Sequence, residues 1–310
     1  MELQAILDDI GDERRPLSHA RLYMLSQLSG EELQFFAKRW TAIGTTRRCE
    51  VLSALVEIAE ANITVDFTGV FRLALRDEDG EVRAHAVGGL WEDDSPDLVD
   101  TFLEMLSSDP SIVARAAAAT GLGRFVFMAE LEELDEELGR SIVQALWRVI
   151  EDPTEALEPR RRAVEAISFS GEEGVQGLIE EAYRNPVEKM RVSAVFSMGR
   201  SADRSWGPTV VGELGSTNPE MRFEAARACG ELELREAVPS LITLIADSDK
   251  EVQQAAISAL GKIGGSEARS ALRICCESED EAIAAAGDEA LAELELTGGL
   301  FDVLLDDEQA

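Results

Sequence analysis

The chain has few basic residues relative to its acidic ones. Its 310 residues include 29 lysines and arginines against 61 aspartates and glutamates, a formal net charge of −32 at pH 7. Nucleic-acid binding depends on basic residues that neutralise phosphates, and so acidic a chain repels DNA, RNA and anionic lipid. We therefore expect no nucleic-acid and no membrane partner. The acidity fits high solubility, or acidic surface rows that attract a basic protein.

Residues that commonly carry catalysis or bind metal ions are also scarce. The only two histidines, His19 and His85, lie 66 residues apart, since 85 − 19 = 66. The chain contains no H-E-x-x-H, P-loop or G-x-G-x-x-G motif. We therefore expect no enzyme, no cofactor and no metal site.

Paired cysteines and long apolar runs are missing as well. The four cysteines lack a C-x-x-C spacing and are interpreted as reduced, structural thiols of an intracellular protein. No apolar stretch approaches the roughly 20 residues that span a bilayer. The first residues lack the positive segment and apolar run of a signal peptide. Together these absences predict a cytoplasmic protein; the cysteines are Cys49, Cys229, Cys275 and Cys276.

What the chain has in abundance is one repeated pattern. It recurs at a fixed step of 31 residues around Arg160, Arg191, Arg222 and Gln253. Two small or aliphatic residues follow three and four positions later, and then come a small, an apolar and a small residue. A period between about 20 and 50 residues indicates a solenoid, in which each unit buries its face against its neighbours.

Weaker copies extend the pattern to nine candidate units. They lie around Arg115, Arg83, Arg48 and Arg21 upstream and around Ala284 downstream. The widest gap is 45 residues, since 160 − 115 = 45, and it predicts one lengthened helix near residues 131–150.

Each unit is predicted to contain two helices. The motif places its apolar residues on one side of a helix, and a second apolar helical pattern follows after a short turn. A glycine or serine is predicted to end the first helix, as at Gly199, Gly230 and Gly261. No useful stretch alternates with a period of two, so the predicted fold class is all-α.

The phrase D/N-P-x-V/M-R-x-x-A-A/V-x-A-L/M-G resembles the HEAT repeat, and more narrowly its short bacterial form, first named from phycobilisome lyases. The resemblance implies an α-solenoid of about eight or nine two-helix repeats. It implies one domain over residues 1–295, with weak repeats over 1–78, strong repeats over 79–265 and a degraded terminal repeat over 266–295. Residues 296–310 are predicted to form a C-terminal cap or an acidic tail.

Two enzymes with a HEAT-like fold are not supported by the residues present. Deoxyhypusine hydroxylase, an iron enzyme, carries repeated His-Glu pairs as ligands, and this chain has none. A HEAT-like DNA glycosylase would be expected to have a basic groove, which the net charge of −32 opposes.

One arginine recurs in most copies of the motif and is predicted to form a structural ladder along the solenoid. The resemblance implies that each arginine pairs with an Asp or Asn of the preceding turn and so ties unit to unit. Asp79, Asp109, Asn185 and Asn218 stand in the expected places. Gln253 and Ala284 are interpreted as the end of the ladder, whose members are Arg83, Arg115, Arg160, Arg191 and Arg222.

A second row of positions on the motif helix is predicted to be exposed, on the surface that lines the concave side in the resembling family. Apolar residues ringed by charge on such a face are typical of a protein-binding patch. Its arginines favour an acidic partner segment. If the helix phase is wrong by one residue, the phenylalanines belong to the core instead. The predicted partner-binding residues are Arg161, Phe169, Val192, Phe196, Arg200, Phe223, Arg227 and Lys262.

The sequence favours a non-enzymatic scaffold or adaptor that binds another protein on this face. The alternative is an accessory or lyase-type subunit, similar to bilin lyases, that holds a tetrapyrrole or its acceptor protein. A regulatory subunit that bends on binding is a third possibility. The sequence leaves the partner's identity and the oligomeric state open. It predicts that Trp91, Trp147 and Trp206 pack between helices rather than form a ligand cage.

Overall fold

The computed structural model describes the backbone of residues 2–307 and the side chains of residues 3–296. Over these residues the chain is all-α and contains no strand, which confirms the predicted fold class. The chain divides into two compact units, residues 1–170 and residues 171–310. The division into one domain and a terminal segment at 296–310 stays a prediction, because the side chains of residues 297–310 lie outside the described part.

Both compact units, residues 1–170 and residues 171–310, consist of successive α-helices. Those of residues 1–170 are α1 (Glu2–Ile10), α2 (His19–Leu22), α3 (Gly30–Trp40), α4 (Thr45–Ala61), α5 (Thr68–Ala74), α6 (Gly80–Gly89), α7 (Asp97–Ser108), α8 (Ile112–Glu130), α9 (Glu136–Glu151) and α10 (Leu157–Ile167). Those of residues 171–310 are α11 (Val175–Tyr183), α12 (Glu188–Arg200), α13 (Gly207–Glu213), α14 (Pro219–Glu231), α15 (Val238–Leu244), α16 (Lys250–Ile263), α17 (Ser266–Cys276) and α18 (Glu281–Asp307).

The helices that carry the repeated motif pack side by side in each unit. These motif helices are α4, α6, α8 and α10 in the first unit and α12, α14, α16 and α18 in the second. From α5 onward, each preceding helix, such as α7 before α8 or α13 before α14, packs against the motif helix that follows it. The apolar motif positions form the core; Ala225, Ala226 and Cys229 of α14 are buried, for example. This is the solenoid arrangement that the 31-residue step predicts.

The irregular part of the repeat differs from the sequence prediction in two places. The copy around Arg21 forms only the four-residue helix α2, followed by a 3-10 turn at Tyr23–Leu25. The 45-residue gap contains two long helices rather than one, because α8 has 19 residues and α9 has 16. Helix α9 lies close to the predicted position of the lengthened helix.

The motif glycines lie inside the last turn of their helices, where the sequence predicted helix ends. A Cβ atom on Gly199 would lie 2.8 Å from the Cα of Ala228, and one on Gly230 would lie 2.9 Å from the Cα of Ala259. Gly261 has the same relation to Ala290, at 2.8 Å from its carbonyl oxygen. Glycine is therefore required here for the close approach of neighbouring motif helices rather than for a left-handed cap.

The left-handed residue comes three positions later, and it recurs with the repeat. Ala202, Glu233 and Gly264 have φ of 54°, 49° and 68° and are separated by the same 31 residues. Only glycine adopts this conformation without strain. We expect Ala202→Gly and Glu233→Gly each to raise the free energy of unfolding by about 0.5–1 kcal/mol, measured by urea denaturation. Ser201→Gly, at a helical φ of −68°, is the control and should not stabilise the chain.

One helix is more apolar than the sequence analysis expected. Helix α8 is long and apolar enough to cross a membrane by length and composition, although no such stretch was predicted. Within its unit α8 packs against α6, α7, α9 and α10. Its Arg115 and Arg124 make ion pairs or hydrogen bonds with neighbouring turns. This packing is that of a central helix in a stack of repeats.

Candidate functional site

Three of the ladder arginines, Arg83, Arg115 and Arg222, each join a motif helix to two different turns. In the first unit Arg83 donates from Nη1 to the backbone oxygen of Asp77, at 2.7 Å, in the turn before its own helix. It also binds both carboxylate oxygens of Asp109, at 2.5 and 2.8 Å, in the turn before the next motif helix, α8. Arg115 repeats this arrangement with the backbone oxygen of Asp109, at 2.6 Å, and the carboxylate of Glu155, at 2.8 and 2.9 Å.

The second unit repeats the ladder with some losses. Arg222 donates to the backbone oxygen of Ser216, at 2.9 Å, and to both carboxylate oxygens of Asp247, at 2.7 and 2.8 Å. Gln253 keeps only the contact to the preceding turn, from Nε2 to the backbone oxygen of Asp247, at 2.7 Å.

Two further ladder arginines contact backbone oxygens. Arg191 donates to the backbone oxygens of Asn185 and Pro186 at 3.0 and 3.1 Å. Arg160 donates to the backbone oxygen of Ile150 at 3.1 Å.

The predicted partners of the ladder need correction. The turn before the arginine's own helix supplies a backbone oxygen, whereas the carboxylate comes from the turn before the next motif helix. Asp79 and Asn218 instead accept hydrogen bonds from the first backbone amides of α6 and α14, as N-caps. The physical reason is how far each guanidinium reaches. Before its own helix, the group within reach is the backbone carbonyl of the residue six positions earlier. In the next repeat, the group within reach is a side-chain carboxylate.

The Arg222–Asp247 pair gives a prediction about pH. The hydrogen bonds from Arg222 hold the pKa of Asp247 below its usual value. The stability that this pair contributes is complete above about pH 4, the pKa of an unfolded aspartate, and is lost as the pH falls through the lower folded pKa. We expect the difference in urea midpoint between wild type and Arg222→Gln to be full at pH 7 and to shrink below pH 4. A difference in urea midpoint that does not depend on pH would contradict this prediction. The control variant is Arg204→Gln, which removes one partner of the exposed Arg204–Glu233 pair.

The predicted binding face contains an aromatic and arginine cluster in the second unit. Phe196 of α12 and Phe223 of α14 are both half-buried. The guanidinium of Arg227 lies over both rings, 5.6 Å from the centre of Phe196 and 5.7 Å from that of Phe223. Arg200 lies over Phe196 at 5.4 Å. The rings are therefore neither in the core nor fully exposed, and arginines cover part of each.

Glutamates balance the charge of this cluster. Glu231 lies 3.3 Å from Arg200 and 3.6 Å from Arg227, and Glu224 lies 3.5 Å from Arg227. An acidic partner would have to share these arginines with Glu231 and Glu224. We call Phe196, Arg200, Phe223 and Arg227 the Phe–Arg cluster.

The other predicted binding residues are placed differently. Val192 and Arg161 are buried, at 2% and 5% exposure, so their predicted exposure is wrong. Arg161 is the fifth residue of α10, where it pairs with Glu158 and Glu165 of the same helix, and Val192 is the fifth residue of α12. Phe169, in the first unit, packs edge to face on Phe127 with ring centres 5.6 Å apart. Lys262 is exposed on α16, as predicted.

Among the remaining reactive side chains, one cysteine is buried and one histidine lies beside a serine. No group of three or more His, Cys, Asp or Glu residues that could hold a metal ion occurs among residues 3–296. Cys229 is buried, and the loss of solvation raises its pKa to about 12. His85 lies 3.3 Å from the hydroxyl of Ser53 through Nδ1.

Comparison with protein families decides which repeat this is. A family model described as HEAT repeats matches residues 69–136 and residues 207–292. The chain is a HEAT-repeat protein. The two matched segments lie in different units and include α6 and α8 in the first and α14 and α16 in the second. No curated protein matches this HEAT-repeat protein significantly by sequence.

Several solved structures are similar to this HEAT-repeat protein to different degrees. The complex of CpcE and CpcF of phycocyanin lyase from Nostoc sp. PCC7120 has a TM-score of 0.54 and 16% identity, covering 91% of this chain and 97% of that one. Human deoxyhypusine hydroxylase has a TM-score of 0.38 and 16% identity, covering 95% and 96%. A designed armadillo repeat protein has a TM-score of 0.38 and 19% identity, covering 63% and 99%.

The likeness to CpcE and CpcF confirms the resemblance to the lyase-type repeat at the level of the fold. Identities below 20% say nothing about activity, because one fold hosts many functions. HEAT-repeat proteins typically bind other proteins. A function for this one has to be argued from its own surfaces.

Proposed function

We propose that this protein is a non-enzymatic, cytoplasmic scaffold that binds a partner protein through the Phe–Arg cluster. The observation that carries the proposal is the pair of half-buried phenylalanine rings on adjacent helices with Arg227 over both. Aromatic residues and arginines are the residue types that concentrate binding energy in protein interfaces. In a chain with a net charge of −32, arginines grouped on one face favour an acidic partner segment.

A charge-reversal experiment tests this proposal. The double variant Arg200→Glu/Arg227→Glu is compared with Arg204→Glu/Arg235→Glu, which changes the net charge equally at exposed positions outside the cluster. We expect capture of a specific protein from native lysate to fall about tenfold or more with the first variant and to persist with the second. Circular dichroism verifies that both variants fold. If both variants capture the same protein as wild type, the partner binds elsewhere.

A variant of the rings themselves separates binding from folding. Phe196→Asp/Phe223→Asp places carboxylates where two half-buried rings lie. A folded double variant that loses the partner supports the cluster as the binding surface. An unfolded one means that the rings are needed for packing, and the arginine variants then decide the question.

The alternative is an accessory or lyase-type subunit that holds a tetrapyrrole or its acceptor protein. The fold shared with the phycocyanin lyase complex supports this alternative, without indicating any catalytic residue. Incubation with a bilin distinguishes the two functions. A shifted and saturable absorbance spectrum favours the lyase-type function, and an unchanged spectrum favours the scaffold.

A further inference from the structure

A cleft in the first unit lies apart from the Phe–Arg cluster. Its volume is about 440 Å³, and it opens between the motif helices α6, α8 and α10. Phe102, which is buried, contributes to its wall, and Trp91 is 49% exposed. Trp91 was predicted to pack between helices, but half of its surface is accessible. Small-molecule binding sites in proteins usually have volumes of about 300 to 1,000 Å³.

Small residues keep the cleft open. Gly88 lies on α6, and a Cβ atom added there would meet nothing within 4 Å. Ala84 and Ala117 line the same space. Gly121, in contrast, is packed closely, since an added Cβ would lie 2.9 Å from Phe102. The space above Gly88 is therefore empty volume that a larger side chain would fill without disturbing the backbone.

The charged residues that line the cleft are both arginines. Arg124 and Arg162 contribute to the lining, and no carboxylate of the residues that the structure describes does. Arg124 is fixed by hydrogen bonds to the backbone oxygens of Leu90 and Asp93, at 2.9 and 2.5 Å, and its Nε lies 3.1 Å from Asp94. Burial lowers the pKa of Arg124. Arg162 is more accessible, with 38% of its side chain exposed, and it pairs with Glu165 at 2.6 Å.

We propose that this cleft binds a small aromatic anion, with its ring against Trp91 and its acidic group at Arg162. The indole face offers offset or edge-to-face contact to a flat ring. A guanidinium recognises carboxylate, sulfonate or phosphate oxygens by charge-assisted hydrogen bonds. A cleft lined by two arginines, in a chain whose surface is otherwise strongly acidic, selects an anion over a cation. The proposal does not depend on the function of the Phe–Arg cluster.

Two fluorescent probes of the same shape test the site on the full chain. Anilinonaphthalene sulfonate carries the negative charge, and N-phenylnaphthylamine is its uncharged counterpart. We expect the sulfonate to bind at one saturable site and to accept excitation energy from Trp91. Trp91→Phe should remove most of the sensitised emission. Sensitised emission that is unchanged in this variant would place the probe elsewhere and overturn the proposal.

A filling variant tests whether the probe occupies the cleft. Gly88→Leu should weaken both probes about tenfold or more, because the leucine fills the space above Gly88. Gly177→Leu is the matched control, since Gly177 of α11 also has nothing within 4 Å of an added Cβ and lies in the other unit. If Gly88→Leu is not folded by circular dichroism, Thr120→Phe on the exposed rim is the second filling variant. Wild-type affinity in a folded filling variant would overturn the proposal.

The charge preference is tested separately. Arg162→Gln should weaken the sulfonate probe by about 3- to 10-fold, a modest loss because the side chain is partly solvated. The uncharged probe should bind as to wild type. If both probes weaken equally, or neither does, the cleft does not recognise an anion and the proposal is wrong.

Discussion

Replacing Arg48 by Met is expected to lower the free energy of unfolding by about 3–5 kcal/mol. Arg48 is 2% exposed, and its Nη1 lies 2.9 Å from the carboxylate of Asp77, whose side chain is fully buried. Trp40 donates from Nε1 to the same carboxylate oxygen at 2.8 Å. Without Arg48 the carboxylate keeps the indole but loses its counter-charge. A buried charge without its partner is among the most destabilising changes in a protein.

Urea denaturation followed by circular dichroism measures this effect. Arg39→Met is the matched control, because Arg39 pairs with Asp8 at the surface and should change stability by less than about 1 kcal/mol. The double variant Arg48→Met/Asp77→Leu removes both charges and should be more stable than Arg48→Met alone. Equal stability of Arg48→Met and Arg39→Met would show that Asp77 is not dependent on its counter-charge.

Replacing Gly230 by Val is expected to lower the free energy of unfolding by about 3 kcal/mol, the upper part of the range for overpacked sites. An added Cβ on Gly230 would lie 2.9 Å from the Cα of Ala259, which is backbone and cannot move aside like a side chain. The substitution therefore forces α14 and α16 apart. Because each motif helix supports the next one, the separation affects the packing of both neighbours.

The matched control is Gly212→Val in α13, where an added Cβ meets nothing within 4 Å. It should leave stability within about 1 kcal/mol of wild type. Ala259→Gly combined with Gly230→Val should recover only part of the loss, since the Cα of residue 259 remains in place. Full stability of Gly230→Val would mean that the two helices can separate without loss of packing.

The repeat made most of the fold predictable. A 31-residue step around Arg160, Arg191 and Arg222 fixes which residues face the next unit, and helix packing then follows. The physical role of each recurring motif residue was harder to predict. Glycine at 230 could serve a cap or a close approach, and only the distance to Ala259 distinguishes the two.

The binding face was less predictable than the core. Helical spacing placed Phe196 and Phe223 on the accessible side, and both are half-buried there. The same spacing placed Val192 there too, although it is buried. Periodicity states which side of a helix a residue occupies, but not how far neighbouring elements cover that side. The cleft beside Trp91 was missed for a related reason, because no motif records the empty space above Gly88.

Ala202 and Glu233 stand at equivalent positions of two successive joints, and both have a positive φ near 50°. Each of the two lies between a motif helix and a short 3-10 turn, at Arg204–Trp206 and at Arg235–Ala237. Deleting a stretch of 31 residues between equivalent joints therefore reconnects ends that already match. A chain of this type can gain or lose whole 31-residue repeats, during evolution or by design, because no new connecting segment is needed.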